Sequence, residues 1–239
     1  MSLGNALATL TFLPIPFRRQ IPLAQSLHFF PLVGAALGSL TVLAYLGTLR
    51  YFPEALSCLV AVVLPEALGG WKFLRGVSEF KAGRRTDFGA EFDSPSKPGL
   101  QGFAIMAAVI FLKTSILFLL PLEWRIRAVF VIPILGRCAF TLAAILGRFS
   151  ESKSGKFLDN RRSIRAGMLC ILLLMLLFQF PWRISLASMA LFSIVTFGGT
   201  QWVISGGRRS FQALCVVAEA VELSLLACLA AAFWMLART

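Results

Sequence analysis

Five ionisable side chains stand inside long apolar runs of this 239-residue chain: Glu66, Lys113, Arg137, Glu219 and Glu222. A charge in hydrocarbon costs about 3 kcal/mol or more unless it is paired or wetted, so such residues mark a site or a partner. Glu219 and Glu222 are three apart and project from one helical face. At about 1.5 Å per residue they lie roughly 12–16 Å into the last apolar run. Three acids and two bases can largely neutralise one another. One reading is an ion-pair network that ties helices together. The other, which the sequence favours, is a polar cavity open to the cytoplasm that binds a charged substrate or a metal. Two carboxylates on one face, joined by acids from a loop, suit a hard divalent cation.

The acidic loop follows Gly69-Gly70 and carries Lys72, Arg75 and Glu79, then Lys81 to Arg85, then Glu91 and Asp93-Ser94. Gly99 and Gly102 open the next apolar run, where backbone N–H groups can approach an anion. Glycines there serve turns and packing equally well. Gly34 and Gly38 form a GxxxG that reads as close helix packing. Ser154-Gly155-Lys156 is no P-loop, because Ser150 stands where its first glycine belongs. No GxSxG or HExxH is present.

The elements that position these residues are membrane helices. The chain is 58% hydrophobic and 14% charged, with a mean hydropathy of +0.80. Soluble domains are nearer 45–50% apolar and 25% charged, which excludes an ordinary soluble enzyme, a disordered tail and a disulfide scaffold. The predicted fold is all-α: one polytopic helical bundle over 1–239, with about seven transmembrane helices. Their approximate limits are 29–49, 55–71, 100–121, 128–147, 167–181, 184–204 and 211–236. Two cytoplasmic loops, 72–99 and 148–166, connect them. The N-terminal 1–28, broken by Pro14 and Pro16, reads as an interfacial segment without a cleavable signal.

Lys+Arg number 23 against 11 Asp+Glu, a formal +12. With the N-terminus inside, sixteen basic residues fall on cytoplasmic segments and five on outer ones, which sets the orientation. The basic excess needs no nucleic-acid partner, since neither a basic-aromatic stripe nor a Cys/His finger spacing occurs. The five cysteines lie in or beside apolar runs and read as reduced packing residues.

Several motifs in order resemble the adenosylcobinamide-GDP ribazoletransferase (cobalamin synthase) family. Leu13-Pro14-Ile15-Pro16 is similar to its L-P-V-P, and Phe30-Pro31-Leu32-Val33-Gly34 with Gly38 to its F-P-L-x-G-x-x-x-G. Gly69-Gly70 resembles the pair before its acidic motif, and Asp93-Ser94 its D-S. Gly99, Gly102 and Lys113 follow at family spacing. Gly136-Arg137, Gly155-Lys156-Phe157, Gly206-Gly207 and Glu219…Glu222 resemble later family segments.

The resemblance implies a transferase of cobalamin biosynthesis in the bacterial inner membrane. It joins adenosylcobinamide-GDP to α-ribazole or its 5′-phosphate, releases GMP and uses Mg²⁺. It implies Asp93, Glu79, Glu219 and Glu222 as the catalytic and metal-holding acids. It implies Gly99, Gly102, Lys113 and Arg137 on the anionic corrinoid and nucleoside substrates, while Lys72 and Arg75, which stand where the family has other residues, are expected to contact the substrate diphosphate directly. Membrane lipid surrounds the protein, and self-association is left open. The chain departs from the family where the acidic motif H-L-D-G-L-A-D-T-x-D-G belongs. Its histidine position is Lys72, and its aspartates become Arg75, Glu79 and Ala82. Pro95 replaces the arginine after D-S. Such swaps remove metal ligands and add cations. Two alternatives follow: a non-catalytic scaffold or corrinoid-binding paralogue, and a small transporter.

Overall fold

A computed structural model describes residues 27–81, 99–146, 160–205 and 211–238. Among these the structure is helical throughout, with no strand. A 3-10 turn, Leu27–Phe29, leads into α1 (Phe30–Leu49); α2 is Glu54–Leu68 and α3 Lys72–Lys81. Next come α4 (Leu100–Phe118), α5 (Leu122–Leu146) and α6 (Asn160–Leu174), the last continuing into a 3-10 turn, Met175–Gln179. The chain closes with α7 (Trp182–Ser205) and α8 (Phe211–Leu236). Prolines mark the starts. Pro31 opens α1, Pro53 caps α2, and Pro121 and Pro181 precede α5 and α7. Proline fixes φ and needs no donor in a first turn.

Among the described residues five helices are long and apolar enough to cross a membrane: α1, α4, α5, α7 and α8. The protein is a multi-pass membrane protein. The expected seven spans become five, or six if α2 and α3 count as one span bent by 83°. The bend has a local cause. Trp71 N–H donates to Glu66 O (2.8 Å) and Gly70 N–H to Ala67 O (2.9 Å), the pattern that ends a helix with a left-handed residue. Gly70 (φ 65°) and Trp71 (φ 60°) both occupy that region. The expected span 167–181 falls on the shorter apolar segment Ile164–Gln179.

Two further boundaries differ from expectation. The stretch from Lys72, expected as loop, begins with α3, which packs on α8 and α4. Phe73, Leu74 and Ser78 are its buried face. The fourth span begins at Leu122 rather than 128, so Arg125 and Arg127 belong to a helix instead of an outer loop. The remainder of both expected cytoplasmic loops, 82–98 and 147–159, lies outside the described residues, as does the expected interfacial segment up to residue 26.

Helix α5 is the axis of the bundle, buried along most of its length, and α1, α8, α6 and α7 pack around it. Gly34 and Gly38 allow α1 to approach closely. A Cβ on Gly34 would sit 3.1 Å from the Ile134 Cα, and one on Gly38 2.5 Å from the Phe130 carbonyl oxygen. That is the small-residue packing the sequence indicated. The periphery is apolar outward: Leu43, Phe103, Phe111 and Ile194 are all exposed, as lipid-facing positions require. Cys58, Cys138, Cys170 and Cys215 are buried, and all five cysteines are free thiols.

Candidate functional site

Helix α4 buries only two of its residues, Lys113 and Leu117. Its other residues are exposed or half-buried, so the helix delivers one ammonium to the interior. Lys113 Nζ lies 2.6 Å from Glu219 Oε2, 2.6 Å from Glu222 Oε2 and 3.7 Å from Glu66 Oε1. The Glu222 contact is a hydrogen bond. The Glu219 contact, at the same distance, is an ion pair. All four side chains are buried.

Arg137, on α5, completes the cluster. Its guanidinium donates from NH1 to Glu222 Oε1 (3.0 Å) and to the Pro133 carbonyl (3.3 Å). It lies 4.8 Å from the centroid of the Phe73 ring, a cation–π distance. Arg137 Nε has no hydrogen-bond partner among the described residues. Gly136 makes room for Glu222, because a Cβ there would land on the carboxylate. Glu66 is fixed twice: its carboxylate faces Lys113, and its carbonyl closes the turn that ends α2.

Four helices thus bring three carboxylates and two cations together, leaving one formal negative charge. A charge group in a dry interior is tolerable only when so nearly balanced. The carboxylates of Glu66, Glu219 and Glu222 supply oxygens within 4.8 Å of one another, a donor set of the kind hard cations use. A crevice of about 30 Å³ adjoins them, bounded by Pro65, Glu66, Lys113, Pro133 and Glu222. Its size admits about one water or one bare ion.

Of the residues expected in the site, Lys113, Arg137, Glu219 and Glu222 converge. Glu66, noted as an intramembrane acid but not placed in the expected metal set, joins them. Glu79 stands apart, paired with Arg75 one helical turn away (2.9 Å). Lys72 and Arg75 lie on α3, whose Phe73 covers Arg137. Gly99 is the N-terminal cap of α4, and Gly102 lies in its first turn. Asp93 lies outside the described residues, as do Gly155 and Gly206-Gly207.

Sequence reasoning missed a second polar knot about three turns before Arg137 on α5. Arg125 is buried and ion-paired to Glu54. It also donates to the carbonyls of Leu117 (3.0 Å), Phe118 (2.9 Å) and Leu120 (2.6 Å), and to the Tyr45 hydroxyl (3.2 Å). The Phe118 and Leu120 carbonyls lie at and just after the end of α4, where a helix leaves acceptors unpaired, and the Leu117 carbonyl also accepts from Leu120 N–H (3.1 Å). The signal was the first-turn acid Glu54 and an arginine just before an apolar run, which reads equally well as an orientation charge.

The family model for cobalamin-5-phosphate synthase matches residues 2–86. Proteins named adenosylcobinamide-GDP ribazoletransferase are similar over longer stretches. The one from Desulforamulus reducens is 27% identical over 203 residues, 82% of this chain and 81% of its own length. The one from Roseiflexus sp. is 30% identical over 162 residues, 64% of this chain and 59% of its own. The one from Alkaliphilus metalliredigens is 27% identical over 148 residues, 58% and 59%. The chain therefore spans about three-fifths of the length of the latter two. No solved structure matches. These matches bear out the family resemblance read from the sequence, and they favour neither the scaffold nor the transporter reading.

Proposed function

We propose that this protein is an adenosylcobinamide-GDP ribazoletransferase with an altered acidic segment. The observation that carries this reading is a juxtaposition. Glu66, Lys113, Arg137, Glu219 and Glu222 meet beneath α3, the segment standing where the resemblance puts the family's acidic motif. In the reaction an oxygen of α-ribazole or its 5′-phosphate attacks the corrinoid-side phosphorus of the diphosphate. The bond to the GMP phosphate oxygen breaks, GMP departs, and the nucleophile loses its proton. Such transfers are governed by positioning and charge stabilisation.

The Mg²⁺ that the resemblance implies would polarise the diphosphate when bound. It does not fit the Glu66–Glu219–Glu222 triad as folded, because Lys113 already lies between those carboxylates. What falls to the chain's own residues is binding and orientation. Lys72 and Arg75 bring positive charge to α3 for the anionic diphosphate, with Arg75 steadied by Glu79. Glu219 and Glu222 hold Lys113 and Arg137 in place, and Arg137 in turn seats Phe73 and α3. Positive charge in the sequence flanking α3 and α6 supports a substrate face and an N-terminus on the cytoplasmic side of the inner membrane.

Complementation tests the reading. In a bacterium lacking its cobalamin synthase and fed cobinamide, the chain restores growth, and Glu219→Ala or Asp93→Ala abolishes it. Purified protein releases GMP from adenosylcobinamide-GDP only when α-ribazole or its phosphate is present. Absence of growth and of GMP release, despite sound membrane expression, overturns it.

A further inference from the structure

We propose that Lys113 is a resident cation: its ammonium occupies the place where Glu66, Glu219 and Glu222 would otherwise gather a divalent metal ion. Removing it would turn the cluster into a metal site. Three observations carry this. The carboxylate oxygens of the triad lie within 4.8 Å of one another, close enough for one ion to touch all three. The ammonium is 2.6 Å from two of them and 3.7 Å from the third, so it lies within the space such an ion would fill. An adjoining crevice of about 30 Å³ supplies room for one small ligand.

Charge bookkeeping gives the direction. With Lys113 and Arg137 both present, the five groups sum to one negative charge. A divalent ion added beside Lys113 would meet an ammonium at contact distance, a repulsion that low-dielectric surroundings amplify. With Lys113 gone, three carboxylates and Arg137 sum to two negative charges, which one divalent ion neutralises. Glu66 is held by the end of α2, and Glu219 and Glu222 by one face of α8. The backbone positions that carry the three carboxylates are therefore held by helix α8 and the end of α2 and not by the lysine.

This inference is independent of the transferase reading, because its readout is metal binding without substrate. Full-length protein in detergent is titrated with Mn²⁺ and followed by electron paramagnetic resonance. Wild type and Glu219→Gln are expected to bind the same number of ions. Lys113→Met is expected to bind one more ion than wild type, and Lys113→Met/Glu219→Gln to lose it. Mn²⁺ should also raise the melting temperature of Lys113→Met but not that of wild type. Should Lys113→Met fail to fold, the wild-type comparison still decides. An ion bound by wild type and lost in Glu219→Gln overturns the proposal, as does a folded Lys113→Met that gains no ion.

Discussion

Lys113 and Glu222, 109 residues apart in the chain, meet through a 2.6 Å hydrogen bond in the middle of the bundle. The bond joins α4, an otherwise lipid-facing helix, to α8, and Glu222 extends it to Arg137 on α5. Removing Glu222 takes away the carboxylate that Lys113 and Arg137 share and leaves the buried Arg137 guanidinium without its ion-pair partner, at a cost of about 3–5 kcal/mol. Glu222→Gln is therefore expected to lower the melting temperature in detergent sharply. Lys113→Met/Glu222→Gln should be less damaged than the sum of its single variants, by about 1–3 kcal/mol of coupling. Additive losses in a double-mutant cycle would mean the two residues do not interact.

Gly136 is expected to tolerate no side chain. The nearest atoms to a Cβ there are the end of the Glu222 side chain, which its pairs with Lys113 and Arg137 hold in place. Gly136→Ala should cost about 1–3 kcal/mol by overpacking. Part of that loss should return in Gly136→Ala/Glu222→Ala, where the obstructing carboxylate is gone. Denaturation of both proteins checks this, and equal melting of Gly136→Ala and wild type would contradict it.

Arg125 is expected to matter more than its partner Glu54. The arginine is buried and serves three carbonyls, a hydroxyl and a carboxylate, whereas the Glu54 side chain is 46% exposed. Arg125→Met strands buried acceptors and should cost about 3 kcal/mol or more. Glu54→Gln, with water at hand, should cost about 1 kcal/mol or less. Thermal unfolding of the two variants gives the order, and a larger effect from Glu54→Gln would refute it.

The bend between α2 and α3 rests on Gly70, whose φ of 65° suits glycine and few others. Gly70→Ala should cost about 1 kcal/mol from this conformation. Because Glu66 O closes the same turn, the variant should also disturb the seat of Glu66 opposite Lys113. Gly70→Asn should be milder, since asparagine tolerates the left-handed region. The expected result is a melting-temperature order of wild type, then Asn, then Ala. An alanine variant as stable as wild type would show that the turn is not the constraint.

The sequence by itself determined that this is a membrane-embedded helical protein, because long apolar runs, in a chain of +0.80 mean hydropathy, need helices to satisfy their backbone polar groups. It singled out Glu66, Lys113, Arg137, Glu219 and Glu222, since charge in an apolar run is costly enough to be legible without coordinates. The close approach at Gly34 and Gly38 was readable for a similar reason, that only small residues let backbones meet. Tertiary structure alone decided which charges pair. The contact between Lys113 and Glu222 joins positions 109 apart, and no local periodicity encodes it. It decided that α3 is a packed helix, because its strongly polar sequence hides a short buried face of Phe73, Leu74 and Ser78. It also decided that Arg125 is a buried clamp rather than a rim charge. The physical reason is common to all three: pairing and burial depend on where other helices stand, and that is fixed by packing across the whole bundle.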